Sequence, residues 1–110
     1  MIEKTIRSLL DGGEVLFKYP LKVYCRKDGI RGGGVFVVSV PKRRFKRAVK
    51  RNLLKRRIRE AFRHSGWKDS MEGDVMIIYA GEKEEDYETI LSSVRFLFEK
   101  SSGVAAGKAH

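Results

Sequence analysis

Twelve of the chain's 24 lysines and arginines lie within residues 42–63, which read KRRFKRAVKRNLLKRRIREAFR and contain one acid, Glu60. No other feature restricts the fold so strongly. From Ala48 to Arg63 there is no Gly or Pro, and Lys, Arg, Leu and Ala dominate, so the composition predicts a helix. With a helical turn of about 100° per residue, Leu54, Ile58 and Ala61 share one face and Phe62 stands at its edge. Asn52, Lys55, Arg56, Arg59 and Arg63 form a second face, roughly opposite. Such a helix has to lay its apolar stripe on a sheet and project its cations away from it.

The charge pattern also bears on function. Residues 42–63 carry +11 and the remainder −1, within a net charge of +10. Basic neighbours three and four apart on a helix repel by roughly a few tenths of a kcal/mol per pair. Solvated helix faces usually mix Glu with Lys, and this one has only Glu60 as local relief. A polyanionic partner relieves the remaining repulsion. Arginine predominates over lysine in the helix, and its planar fork engages two phosphate oxygens or stacks on a base. Asn52 can meet a ribose hydroxyl, a base edge or a metal-bound water; an exposed or capping Asn is an equal alternative.

Size and composition narrow the class. A chain of 110 residues with 42% hydrophobic residues makes one domain with a modest core, placed over residues 1–100. The small residues and lack of pattern in SSGVAAGKAH predict a disordered tail over 101–110. One cysteine, Cys25, excludes an internal disulfide framework and a cysteine-rich zinc site. No apolar run approaches the roughly 20 residues that span a bilayer, and MIEKTIRSLL lacks the apolar core and cleavage site of a secretory signal. The expectation is a soluble protein of the cytoplasm with no membrane partner.

Around the basic helix, the pattern predicts the order α-β-β-β-α-β-α. Ile2, Ile6, Leu9 and Leu10 follow helical spacing up to Gly12-Gly13. EVLFKYPLKVYCRK reads as extended structure broken or bent by Pro20. Asp28-Gly29 opens a turn and Gly32-Gly33-Gly34 continues a flexible connection. GVFVVSV at 34–40 has apolar residues on both faces, which predicts a central or covered strand. Residues 66–73 read as a loop, DVMIIYA at 74–80 as a strand, and residues 82–86 as an acidic loop or helix entry. Tyr87, Ile90, Leu91, Val94, Leu97 and Phe98 form the stripe of a last helix, with Asp86 as its N-cap. The fold class is α+β: a small α/β sandwich around one central sheet.

The string AVKRNLLKRRIREAFR resembles the signature of the bacterial ribonuclease P protein subunit family, which runs Arg-Asn-Arg, then Lys-Arg, then Arg-Glu. Arg51, Asn52, Lys55, Arg56, Arg59 and Glu60 fall on it. Ser39, Lys42, Arg43 and Lys46 resemble the family's strand exit, and weaker similarity extends over most of residues 6–100. The resemblance implies a left-handed βαβ crossover through the basic helix, a handedness that ordinary sterics disfavour and no sequence pattern signals. It also implies a non-catalytic protein subunit of a ribonucleoprotein endonuclease that removes the 5′ leader from precursor tRNA. The chemistry belongs to the RNA subunit and its Mg²⁺, bound mainly by that RNA, with one protein per RNA. On this resemblance Arg51, Asn52, Lys55, Arg56, Arg59 and Arg63 bind the catalytic RNA. Lys42, Arg43 and Lys46 leave the end of a strand predicted to be central rather than the outer face of the helix, so they, with Phe17 and Tyr19, are assigned to the single-stranded leader.

The chain departs from the pattern at Leu53, where the family has Arg. Leu53 lies between the basic face and the core stripe, so either the RNA lacks the matching contact or Leu53 packs on an apolar neighbour. Leu10 stands where an aromatic residue for the leader is expected, which leaves Phe17, Tyr19 and Tyr24 as stacking surface or as ordinary strand packing. No catalytic or metal residue is assigned to the chain. His64 reads as a solvent-facing helix end, His110 belongs to the tail, and Asp69, Glu72, Asp74 and the run Glu82, Glu84, Glu85 and Asp86 read as solvated carboxylates rather than a nuclease metal centre. A non-enzymatic RNA- or DNA-binding module and a self-sufficient nuclease are the competing readings.

Overall fold

A computed structural model describes residues 14–27, 35–70 and 73–107. The extended stretch doubles back at Pro20: β1 (Glu14–Lys18) and β2 (Leu21–Lys27) pair antiparallel, from Glu14 opposite Cys25 to Lys18 opposite Leu21. Proline cannot donate to a ladder, and here it occupies the turn between strands. Its carbonyl accepts a hydrogen bond from the Ala80 N–H at 2.7 Å. Then follow β3 (Phe36–Ser39), α1 (Ala48–Ser65), the short α2 (Trp67–Ser70), β4 (Gly73–Tyr79) and α3 (Tyr87–Gly107). The helix expected over residues 2–10 and the glycine-rich turn at 28–34 lie outside the described residues.

The sheet runs β1-β2-β4-β3, with β4 antiparallel to β2 and parallel to β3. The connection from β3 through α1 to β4 is therefore a parallel crossover. Register places Leu16, Val23, Ile77 and Val38 in one row across the sheet. This row faces the helices: Val23 and Ile77 are fully buried, and Leu16 and Val38 pack against the same core. α1 contributes Leu54, Ile58, Ala61 and Phe62, and α3 contributes Ile90, Val94 and Leu97, all buried. The two helices pack on each other, α3 also on β1 and β2, and α1 also on β3. The result is the expected α+β sandwich, with the predicted stripe of the basic helix inside it.

Three elements are more specific than the expectation. β3, predicted to be central or covered, is a covered edge strand. Its cover comes from α1, where the Phe62 ring lies flat on the Phe36 ring at 3.8 Å between centroids and 7° between planes. The 66–73 loop contains α2, whose Trp67 is buried between Phe62 and Phe98, with centroids 5.3 and 5.5 Å away. Gly66 makes this reversal possible: it adopts φ 87°, the left-handed region open to glycine, and its N–H caps the Arg63 carbonyl. Third, α3 continues to Gly107. That helical backbone includes residues 101–107 of the stretch read as a disordered tail. Ser101 is buried with its hydroxyl donating to the Phe98 carbonyl, and Ala105 and Ala106 favour helix. Residues 108–110 lie outside the described residues.

Candidate nucleic-acid interface

Because Leu54, Ile58, Ala61 and Phe62 fix the rotation of α1, the cations sort by angle around it. Asn52, Arg56, Arg59 and Arg63 stand exposed on the outer face, and Lys55 is half-buried beside them. Arg63 reaches back to Glu60 at 2.5 Å. Arg56 and Arg59 have no ion pair or hydrogen bond among the described residues. They are the two outer-face arginines free to meet a polyanion without first leaving a partner.

The remaining cations of α1 have work inside the fold. Arg51 is half-buried and donates to the Phe45 and Lys46 carbonyls at 2.8 and 2.9 Å, bracing the segment that enters the helix. That entry has no side-chain cap and no acid in its first turn. Arg57 donates to the Glu85 carbonyl at 2.7 Å and pairs with Glu84 at 3.1 Å. Glu84 also meets Lys50 at 3.2 Å. The Lys50 hydrogen bond, aided by the Arg57 charge, holds the Glu84 carboxyl below the ordinary carboxylate range.

The acidic run is thus not simply solvated, as its sequence suggests. Tyr79 donates its hydroxyl to the Lys83 carbonyl at 2.5 Å and accepts the Glu85 N–H at 2.9 Å. Burial pushes the Tyr79 phenol up to about 12, so it stays a donor. Asp86 accepts the Thr89 N–H at 2.9 Å, the expected N-cap of α3, and that bond lowers its carboxyl. Gly81 lets this loop cross the β1–β2 turn: a Cβ there would stand 2.9 Å from the Pro20 Cβ and 3.1 Å from the Tyr79 ring.

The second basic group follows β3. Arg44 and Phe45 donate backbone N–H groups to the Pro41 carbonyl, and Phe45 turns inward to meet the Tyr79 ring edge-on at 5.5 Å. Lys42, Arg43 and Lys46 remain exposed around this plug. They leave the end of an edge strand, since β3 is not central.

Register brings Phe17, Lys22, Ile78 and Ser39 into one row on the sheet face away from the helices, two residues before Pro41. Phe17 is 59% exposed there. Tyr24 lies on the same face with the Lys22 ammonium 5.4 Å from its ring centre. Sequence reasoning passed over Lys22; the alternation Leu21, Lys22, Val23, Tyr24 holds the signal, because it puts the lysine and the tyrosine on one face. Tyr19 belongs elsewhere. Its hydroxyl donates to Glu85 at 2.9 Å, which raises its phenol, and its carbonyl accepts the Ser93 hydroxyl at 2.7 Å. Phe17 thus shares an end of the sheet with the exposed loop cations, whereas Tyr19 is tied to the acidic loop.

Leu53 is half-buried on the flank of α1, three residues after Lys50 and four before Arg57. Leu53→Arg is expected to keep the fold, because a half-buried site lets a guanidinium reach water along its own stem. It should also tighten RNA binding and steepen the log–log salt slope by about 0.7–0.9, one phosphate's worth. A marked fall in Tm with no gain in affinity would instead make Leu53 a packing residue.

Among the described residues no group of three His, Cys, Asp or Glu side chains is placed to hold a metal ion. None of their helices is long and apolar enough to cross a membrane.

The profile of the family described as Ribonuclease P matches residues 3–102. A curated relative, the Ribonuclease P protein component of Porphyromonas gingivalis strain ATCC 33277, is 42% identical over 60 residues, 53% of this chain. The alignment covers 44% of that relative, so the chain matches less than half of its length. The fold is similar to the RNase P protein of Staphylococcus aureus, with a TM-score of 0.73 and 22% identity over 87% of each chain. It is also similar to the RNase P protein of Thermotoga maritima, with a TM-score of 0.75 and 22% identity over 91% of this chain and 94% of that one.

Proposed function

Since the chain belongs to the Ribonuclease P family, we propose that it is the protein subunit of the ribonucleoprotein that removes the 5′ leader from precursor tRNA. In this reading the outer face of α1, with Asn52, Lys55, Arg56, Arg59 and Arg63, docks on the catalytic RNA. Arg51 serves by holding the entry to that helix. Lys42, Arg43 and Lys46 meet leader phosphates, and Phe17, joined by Lys22 and Tyr24, offers the leader a stacking surface. Tyr19 contributes by fixing the turn beside that surface. The cleavage chemistry belongs to the RNA and its Mg²⁺, with one protein per RNA, in the cytoplasm.

The observation that carries the reading is the outer face of α1, where Arg56 and Arg59 stand exposed without an acid partner among the described residues. Reconstitution tests it. Precursor tRNA should be cut at low Mg²⁺ only when both the cognate catalytic RNA and this chain are present, and the chain alone should cut nothing. RNA binding without any rescue of cleavage would leave a basic RNA-binding module; cleavage by the chain alone would make it a nuclease.

A finer prediction concerns the leader. Stacking on an aromatic is worth about 1–3 kcal/mol per base. Phe17→Ala should weaken precursor tRNA binding by that amount and leave mature tRNA binding nearly unchanged. Equal losses for both substrates would remove Phe17 from leader recognition.

A further inference from the structure

Glu84 occupies an unusual position for an acid on a polyanion-binding domain. One oxygen meets the Lys50 ammonium at 3.2 Å and the other meets Arg57 at 3.1 Å. Lys50 and Arg57 lie two helical turns apart on one flank of α1, so their side chains converge on a single carboxylate, as they would on a phosphate. The loop that presents Glu84 is held independently, by the Tyr79 hydroxyl between Lys83 and Glu85 and by the capping bond of Asp86. Its carboxylate is therefore delivered to the helix already oriented.

We infer that Glu84 is a specificity-determining residue: it acts as a built-in phosphate mimic that withdraws Lys50 from RNA binding and ends the polyanion surface at that flank of α1. This rests on the proposed RNA-binding role of the outer face. The two cations are not equivalent in it. Arg57 also donates to the Glu85 carbonyl at 2.7 Å and stays in place without Glu84. Lys50 has 51% of its side chain exposed and no other partner among the described residues, so it is the cation that removal of Glu84 sets free. Freed, it would grip any phosphate backbone, because an ammonium reads charge rather than sequence or shape. The carboxylate thus suppresses indiscriminate binding while Arg56 and Arg59 keep theirs.

The test uses the full chain, a duplex RNA of unrelated sequence and the cognate catalytic RNA, titrated over a range of salt. Glu84→Gln should steepen the log–log salt slope for the duplex by about 0.7–0.9 and tighten its binding roughly fivefold at 0.15 M salt, the yield of one added phosphate contact. Discrimination between cognate and unrelated RNA should fall accordingly. Glu82→Gln changes net charge equally, and Glu82 is exposed on the same loop without an ion pair among the described residues. It should do neither. Equal gains from both variants would reduce the effect to net charge and overturn the inference. Lys50→Gln in the otherwise native chain supplies a readout that does not depend on the loop surviving substitution. It should leave the slope unchanged, whereas Arg56→Gln should lower it by one contact. A slope lowered equally by Lys50→Gln would show Lys50 already engaged by RNA and overturn the inference. Native binding to the catalytic RNA that fails to restore cleavage counts against the proposed function and leaves this result standing.

Discussion

Phe62→Ala is expected to cost about 3–5 kcal/mol of stability, the usual loss for emptying a buried aromatic site. Phe62 is 1% exposed and joins three elements. Its ring covers Phe36 on the edge strand β3 at 3.8 Å and borders Trp67 of α2 at 5.3 Å, and Trp67 in turn lies against Phe98 of α3. Removing it opens a cavity and also strips the cover from β3, so neighbouring side chains cannot collapse into the space without moving the strand. For a domain of this size the loss lowers Tm by more than about 12 °C. Phe62→Leu keeps most of the apolar volume and should cost much less. A thermal melt of both variants decides it. A Tm for Phe62→Ala within 2–3 °C of the native value, roughly the effect of a neutral surface change, would mean that β3 and α1 do not share this stack.

The second large effect falls on binding rather than stability. Arg56→Ala combined with Arg59→Ala removes two exposed cations that make no described contact in the fold. The salt slope for the catalytic RNA should shrink by about 1.4–1.8, and affinity at 0.15 M salt should fall roughly 15- to 30-fold. The Tm should hold or rise slightly, since crowded like charges on one helix face repel. Arg57→Ala should do the opposite. It should lose about 1–2 kcal/mol of stability with its bonds to the Glu85 carbonyl and the Glu84 carboxylate, and leave the slope alone. Adjacent arginines of one helix would then report on different equilibria. If Arg56/Arg59 and Arg57 variants changed affinity alike, the division of the helix into an outer face and an anchored flank would be wrong.

That division also marks how far the sequence could be read. Leu54, Ile58 and Ala61 announced their burial because helical geometry maps spacing onto a face, and the apolar run of β4 announced a buried strand. Nothing local distinguishes Arg57 from Arg56. The difference is made by Glu84 and Glu85, which approach from another part of the chain, and a run of acids looks solvated until its tertiary partners are known. β3 was ambiguous for a related reason. Apolar residues on both faces report that a strand is covered, not what covers it, and here an aromatic ring of α1 does so at the sheet edge. Trp67 escaped because a one-turn helix has no period to detect. Of the candidate residues, the exposed placement of the outer-face cations was legible from angle alone. The contacts of Arg51 and Tyr19 were not, since they are made to backbone carbonyls and a carboxylate that no side-chain pattern encodes.

The strand order carries a consequence for biosynthesis. β4 is the strand that joins β3 to the β1–β2 hairpin, and it is made late, after the whole basic helix. A ribosome that has released the chain through α1 has released a two-stranded hairpin, an unpaired β3 and an apolar stripe with no sheet beneath it. Leu21 waits for Tyr79 and Val38 waits for Ile77. Non-local pairing of this kind slows folding, and exposed apolar surface invites misassembly while it lasts. The nascent chain therefore spends most of its synthesis as a cationic, half-built sheet, in the company of ribosomal RNA. Its commitment to the native state comes in one late step, when residues 73–79 slot between β2 and β3.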